Sequence, residues 1–222
     1  MKTGKIRKII LALVLAVIGC GSLMSAPQED AGSYFTINEI DDALFERING
    51  KSYKADCNVP LEELRYITVA YCDFNGETRK GEMICNKAIA DDLIDIFRNL
   101  YAASYPIERI QLIDDYDAED RKSMEANNTS CFNFRKIAGS KTLSKHALGL
   151  AVDINPLYNP FVKYGKSGRK VSPESGAPYA DRTAKFPHKI DTNDLCYQEF
   201  VKHGFKWGGN WKSVKDYQHF EK

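Results

Sequence analysis

The chain has 222 residues, long enough for one domain with a proper core. Charged residues make up 27% and aromatics 11%, which excludes an intrinsically disordered chain. The 31 basic residues nearly balance the 30 acidic ones, giving a net charge of +1. No cationic excess is left to hold a nucleic-acid backbone, so nucleic acid is not an expected partner.

The amino end reads as an export signal. Lys2, Lys5, Arg7 and Lys8 precede an unbroken apolar and small run from Ile9 to Gly19. That run is too short for a comfortable membrane span and suits a signal h-region. It closes in Val17-Ile18-Gly19-Cys20, which resembles a bacterial lipobox, a signal whose Cys becomes the lipidated first residue. We read residues 1–19 as signal peptide, 20–33 as lipidated Cys20 and a polar tether, and 34–222 as the functional domain. Simple cleavage near Ser25-Ala26 is the other reading. Either takes the chain to the cell envelope, with a lipid on Cys20 as its only expected link to the membrane. Without residues 1–19 the chain has 27 basic and 30 acidic residues, a net charge of −3.

Apolar residues at 37, 40, 44, 45 and 48 predict a first helix. Tyr66–Tyr71 is β-branched and aromatic, Asn75-Gly76 is a turn signal, and Gly81–Cys85 follows. This predicts a loose β-hairpin. Asn86 then caps a wide apolar stripe from Ala88 to Tyr101. Ile107–Ile113 and Phe132–Arg135 read as strands, and the acids from Asp114 to Asp120 as a solvated loop. Residues 157–190 read as one long loop, Asp191-Thr192-Asn193-Asp194 opens a helix of Leu195, Phe200 and Val201 that ends at Lys202-His203-Gly204, and strand-like pieces from Trp207 close the chain. The fold class expected is α+β, a single domain with a small antiparallel sheet flanked by helices and a zinc site on the sheet.

Five cysteines follow Cys20, namely Cys57, Cys72, Cys85, Cys131 and Cys196. None has CxxC spacing, so all are read as structural, and Cys72 with Cys85 is the first candidate for a bridge across the hairpin.

Two separated stretches carry ligand chemistry. Ser144-Lys145-His146-Ala147-Leu148-Gly149-Leu150-Ala151-Val152-Asp153 holds an imidazole and a carboxylate seven residues apart. Asp216-Tyr217-Gln218-His219 adds a second imidazole and a spare acid. Two His and one Asp with an open fourth position can hold a catalytic zinc, and an acid beside them suits a general base. Asp153 on a short strand from Ala151 would face away from Val152 and Ile154. On the last strand Tyr217, His219 and Glu221 share a face. Asp216 can join them only across a turn or bulge. Each histidine alone would equally suit a surface or a satisfied core position, and spacing leaves both readings open. His188, inside the long loop, and His203, at a helix end, are expected not to be ligands.

Ser144-x-His146-x-x-Gly149-x-Ala151-x-Asp153, followed by Asp216-x-x-His219, resembles the zinc D-alanyl-D-alanine carboxypeptidases. That family includes vancomycin-resistance type carboxypeptidases and L-alanyl-D-glutamate endopeptidases, and its fold is related to the hedgehog signalling domain. Asn127-Asn128-Thr129-Ser130, Asp153-Ile154-Asn155-Pro156 and Trp207-Gly208-Gly209 are similar to the endopeptidase-like branch. The likeness covers roughly residues 60–222. It implies His146, Asp153 and His219 as zinc ligands and Asp216 as catalytic acid/base. Arg135, in Phe134-Arg135 where the family has Tyr-Arg, is implied to bind substrate and steady the oxyanion. Ser144 is implied to hydrogen-bond a substrate terminus. The implied activity is hydrolysis of peptidoglycan stem peptides by a monomeric zinc peptidase. Two rivals stand beside it: a non-catalytic, metal-containing cell-wall-binding module of the same fold, and a secreted structural protein without metal.

Overall fold

A computed structural model describes residues 31–137, 139–165 and 168–222. The export segment, Cys20 and most of the expected tether lie outside the described residues. A 3₁₀ turn at Ala31–Tyr34 leads into β1 (Thr36–Asn38) and α1 (Asp42–Ile48). Asp41 caps α1, its side chain accepting from the Leu44 amide at 2.8 Å.

β2 (Leu64–Cys72) and β3 (Thr78–Asn86) form a long antiparallel hairpin, with β1 on the free edge of β2. The link at 73–77 is tighter than the sequence suggested, because the Asp73 carboxylate accepts from the amides of Asn75 and Glu77. Side-chain alternation gives the hairpin two buried faces. Ile67, Val69, Met83 and Cys85 meet one core, and Leu64 and Ile84 meet another with Ile48, Phe132 and Phe134. α2 (Lys87–Ala102) lays Ile89, Leu93, Ile96, Phe97 and Leu100 on the first face and starts at Asn86, which accepts from the Ala88 amide.

The run expected as a strand over 107–113 supplies only β4 (Arg109–Ile110) before the chain enters a 3₁₀ turn at Ile113–Tyr116. α3 (Asp120–Glu125) follows, and β5 (Asn128–Thr129) lies parallel to β4. The acids here are not simply solvated. Asp114 is buried and accepts from the Ser52 amide and hydroxyl at 3.0 and 2.9 Å. Residues 132–135 are extended but irregular, with the Phe132 amide on Ile84 and the Phe134 amide on Ser52.

β6 (Ala151–Asp153), β7 (Phe161–Gly165) and β8 (Gly168–Ser172) come next. The stretch expected as one long loop therefore holds a hairpin, followed by a 3₁₀ turn at Glu174–Ala180. Arg182 ties this excursion together. Its guanidinium donates to the carbonyls of Tyr158, Tyr179 and Ile190 and to Asn159 Oδ1, and it stacks on Tyr217 at 4.3 Å. α4 (Leu195–Lys202) begins after its cap Asp194, the last residue of the Asp191–Asp194 stretch expected to open it. β9 (Lys206–Trp207), β10 (Lys215–Asp216) and β11 (His219–Glu221) complete the chain.

The one small sheet expected is instead three three-stranded sheets and the β4–β5 pair, in a mixed helix and strand fold. β11 is the middle strand of the sheet β6-β11-β9, and β10 belongs to the sheet β10-β7-β8. Among the described residues no helix is long and apolar enough to cross a membrane.

The expected Cys72–Cys85 bridge is not formed, and Cys57, Cys72, Cys85, Cys131 and Cys196 are all free. Cys72 pairs with Thr78 beside the turn, whereas Cys85 pairs with Arg65 at the far end of the hairpin. Such a separation is far beyond the reach of an S–S bond.

Phe200 is fully buried and stacks on Phe220 of β11 at 4.3 Å. Phe200→Ala should cost about 3–5 kcal/mol, measured by denaturant unfolding. A loss under about 1 kcal/mol would show that this contact does not hold α4 to β11.

Candidate metal centre

His146 sits on a 3₁₀ turn, His146–Leu148, whose start is fixed by the Ser144 hydroxyl accepting from the Ala147 amide at 3.1 Å. Gly149 ends the turn at φ +67, and a Cβ there would lie 2.6 Å from the Asn86 backbone nitrogen. Only glycine satisfies both demands. The next residues enter β6, which carries Asp153.

β11 pairs antiparallel with β6 so that His219 stands opposite Asp153, Phe220 opposite Val152 and Glu221 opposite Ala151. On the other side of Asp153, its backbone exchanges both hydrogen bonds with Ser130, at 2.9 and 3.2 Å. A buried amide network holds this region. Thr129 Oγ1 accepts from the Asn155 amide at 3.2 Å, and Asn155 in turn accepts from the Glu108 amide and donates to the Pro106 carbonyl. Asn127 Oδ1 accepts from the Leu157 amide at 2.8 Å. The polar flanks of the motif thus fix the backbone that aims Asp153.

Three side-chain atoms converge. His146 Nε2 lies 3.2 Å from His219 Nδ1 and 3.2 Å from Asp153 Oδ1, and His219 Nδ1 lies 3.0 Å from that same oxygen. All three residues are buried. The outer ring nitrogens settle the tautomers. His146 Nδ1 donates to the Cys131 carbonyl at 2.6 Å, and His219 Nε2 donates to Glu221 Oε2 at 3.3 Å. A carbonyl and a carboxylate can only accept, so in the neutral rings both inner nitrogens are bare. The convergent set is then two lone pairs and a carboxylate, which repel unless a cation lies among them.

Ligands about 2.0–2.1 Å from a tetrahedral zinc stand roughly 3.3 Å apart. The edges found here fit that spacing, and the donor set of two imidazoles and a carboxylate suits the ion. Among the described residues these three form the one such group of metal-ligating side chains. His188 stacks on the Phe74 ring at 3.7 Å and His203 pairs with Asp92 at 3.1 Å, so neither joins it.

Electrostatics agree with a cation-seeking centre. Burial alone would raise the Asp153 carboxyl, but the charges and hydrogen bonds of His146 and His219 hold it well below its usual range. Burial alone would lower His219, yet hydrogen bonds to Asp153 and Glu221 push it up to about 10 in the metal-free state. The Glu221 carboxyl is held low by that same hydrogen bond. Glu221 is therefore an orienting partner of His219, visible in the sequence only as its two-residue neighbour on a strand.

Asp216 reaches the centre by a change of sheet. It pairs with Phe161 in β10, and a two-residue bend at Tyr217–Gln218 then delivers His219 to β11. The turn that the sequence required is this crossing between sheets. Gly208 makes room for it: a Cβ there would meet the Asp216 carbonyl oxygen at 2.6 Å, the Asp216 Cβ at 2.8 Å and the His219 Cβ at 3.3 Å. Burial pushes the Asp216 carboxyl up to about 6, with Asp153 adding to the effect and His219 opposing it. Gln218 Nε2 donates to Asp216 Oδ1 at 3.2 Å.

The two remaining candidates are linked to each other, the Ser144 amide donating to the Arg135 carbonyl at 3.1 Å. Arg135 pairs with Asp120 at 3.0 Å and lines an adjacent cleft, without a hydrogen bond or ion pair to the three convergent residues. Ser144 is buried, and its hydroxyl caps the turn that carries His146. The Cys131 carbonyl and the Gly208 clearance are site features the sequence could not announce, because one is backbone and the other an absence of side chain.

A family model described as D-alanyl-D-alanine carboxypeptidase matches residues 138–222. Over those residues the chain is similar to a peptidase family. The matched stretch contains His146, Asp153, Asp216 and His219; Arg135 lies just ahead of it. No curated protein and no solved structure matches the chain. The match supports a peptidase, and the His-Asp-His cluster supports a metal-dependent one.

Since His219 is raised to about 10 in the metal-free state, it is protonated at pH 7 and must lose that proton to become a ligand. Zinc titration at pH 7 should therefore release about one proton, read by calorimetry in buffers of different ionisation enthalpy. Affinity should rise with pH. Zinc binding without proton release would refute this charge state. His146→Ala and His219→Ala should each lose metal, whereas His188→Ala and His203→Ala should keep it, as measured by elemental analysis.

Proposed function

We propose that the protein is a zinc-dependent peptidase of the cell envelope, hydrolysing peptidoglycan stem peptides. The single observation that carries this reading is the convergence of His146 Nε2, Asp153 Oδ1 and His219 Nδ1 within 3.2 Å, with Asp216 flanking His219 across Gly208. The family match supports the peptidase part. The export signal ending at Cys20 motivates the envelope location and a lipid anchor, and the protein is proposed to act as a monomer.

His146, Asp153 and His219 would hold the metal. The chemistry a divalent zinc supplies when held there is Lewis acidity toward a carbonyl oxygen and a lowered pKa for water. Asp216 accepts a proton from the attacking water on its carboxylate and returns it to the leaving amine nitrogen. A carboxyl raised to about 6 is still mostly ionised at neutral pH and is a better base than an ordinary one. Cys131 and Glu221 keep both imidazoles in the orientation that leaves the inner nitrogens bare. Arg135, if released from Asp120 by substrate, brings a cation toward the growing oxyanion or the peptide's carboxylate. Ser144 is assigned a hydrogen bond to a substrate terminus through its hydroxyl proton, since its oxygen already accepts from Ala147.

A non-catalytic binding module would need the metal residues but no acid beside them. Asp216 and the glycine that makes space for it favour the enzyme. Asp216→Asn should keep zinc content and melting temperature while kcat on muropeptides falls by about 10²–10⁴-fold, with KM changed far less. Mass analysis of the digested muropeptides identifies the bond cut. Wild-type turnover in Asp216→Asn would remove Asp216 from the mechanism.

A further inference from the structure

We propose that the cleft beside Arg135 is a subsite for a second carboxylate of the peptide substrate, read chiefly by Lys54 and Lys136. The proposal rests on the peptidase reading above and extends it to specificity. The cleft has a volume of about 470 Å³. One wall is Lys54, Asp56 and Asn58, from the loop after α1; the other is Arg135, Lys136 and Leu143. The walls are joined by the Phe134 amide donating to the Ser52 carbonyl at 3.0 Å, and a bridge between Lys136 and Leu143 ties the second wall together.

Its charge selects the ligand. Three cations face one carboxylate in the lining, and the Asp120 partner of Arg135 still leaves a positive excess. Neither Lys54 nor Lys136 forms an ion pair among the described residues. Arg135 Nε is buried without a hydrogen-bond partner, a donor still to be satisfied. A pocket with unpaired ammonium groups and an amide at Asn58 is complementary to an anion with several acceptor oxygens.

Its position ties it to the metal centre. Cys131 holds His146 through its carbonyl, and the extended chain reaches Arg135 four residues later. At about 3.3 Å per residue the two are no more than roughly 13 Å apart. The Ser144 amide donates to the Arg135 carbonyl at 3.1 Å, two residues before His146. A peptide of about four residues can therefore span metal centre and cleft. Lys54 and Lys136 both lie ahead of the residues that match the carboxypeptidase family model.

The test uses two fluorescent tetrapeptides that are identical except that one carries an acidic side chain and the other its carboxamide twin. Binding is titrated onto zinc-loaded Asp216→Asn protein, with and without Lys54→Gln and Lys136→Gln, Arg135 being left intact. The parent should bind the acidic peptide about five- to tenfold more tightly than its twin, and the preference should shrink with added salt. The lysine variant should bring the two affinities within about twofold while leaving the twin's affinity unchanged. Equal binding by the parent, or a preference that survives loss of both lysines, overturns the subsite. Hydrolysis by the protein with Asp216 intact is scored separately. A lysine-dependent preference without turnover sinks the peptidase reading and keeps the subsite; turnover without preference does the reverse.

Discussion

The arrangement depends on the register of β11 against β6. His219 faces Asp153 only because Phe220 pairs with Val152 and Glu221 with Ala151. A slip of one residue would turn His219 to the opposite face and put Phe220 in its place. What resists the slip is apolar packing. Phe220 and Val152 are completely buried, and Phe220 stacks on Phe200 at 4.3 Å and near Trp207 at 6.5 Å. Fully burying such a ring is worth on the order of 2–3 kcal/mol, and reversing it would leave a polar imidazole in that core. The chemistry therefore rides on a hydrophobic decision made one residue away.

The second constraint is polar. Two imidazoles and a carboxylate brought within hydrogen-bond distance, away from water, are costly unless a proton or a metal cation joins them. The fold tolerates this because every outer contact is satisfied: Cys131 takes the His146 proton, Glu221 takes that of His219, and Ser130 saturates the Asp153 backbone. Behind them Asn127, Asn128, Thr129 and Asn155 are essentially without solvent exposure and hydrogen-bonded. Removing one partner there would strand a buried donor or acceptor, commonly a loss of about 1–3 kcal/mol.

Asp216 obeys different rules. It belongs to the sheet of β7 and β8, which the long excursion after β6 builds, and only the bend at Tyr217–Gln218 returns the chain to the metal-site sheet. Arg182 links the two halves, gripping carbonyls of the excursion while lying over the Tyr217 ring. The placement of the proposed base thus depends on a loop region whose sequence carries little periodicity. Asp216 and the His146-Asp153-His219 cluster thus draw on two different sheets.

Much of this was legible in the linear chain. The β-branched and aromatic run at 66–71, the Asn75-Gly76 turn signal and the run at 81–85 mark a hairpin, whose strands extend to 64–72 and 78–86 in the structure. The stripe in 87–102 marks a helix, and the ligand types at His146, Asp153 and His219 carry the metal chemistry in their side chains. The rest was decided by groups that leave no side-chain signature. Cys131 contributes a carbonyl, Gly208 an empty volume, and the ladder of β6 and β11 a register that depends on residues 66 positions apart. Cys72 and Cys85 look ready to pair in sequence, but a hairpin sends them to opposite ends. Sequence alone determined which atoms could bind a metal or carry a proton, since that is a property of residue type. Tertiary structure decided which of them meet, because convergence depends on strand register and backbone clearance that no local pattern encodes.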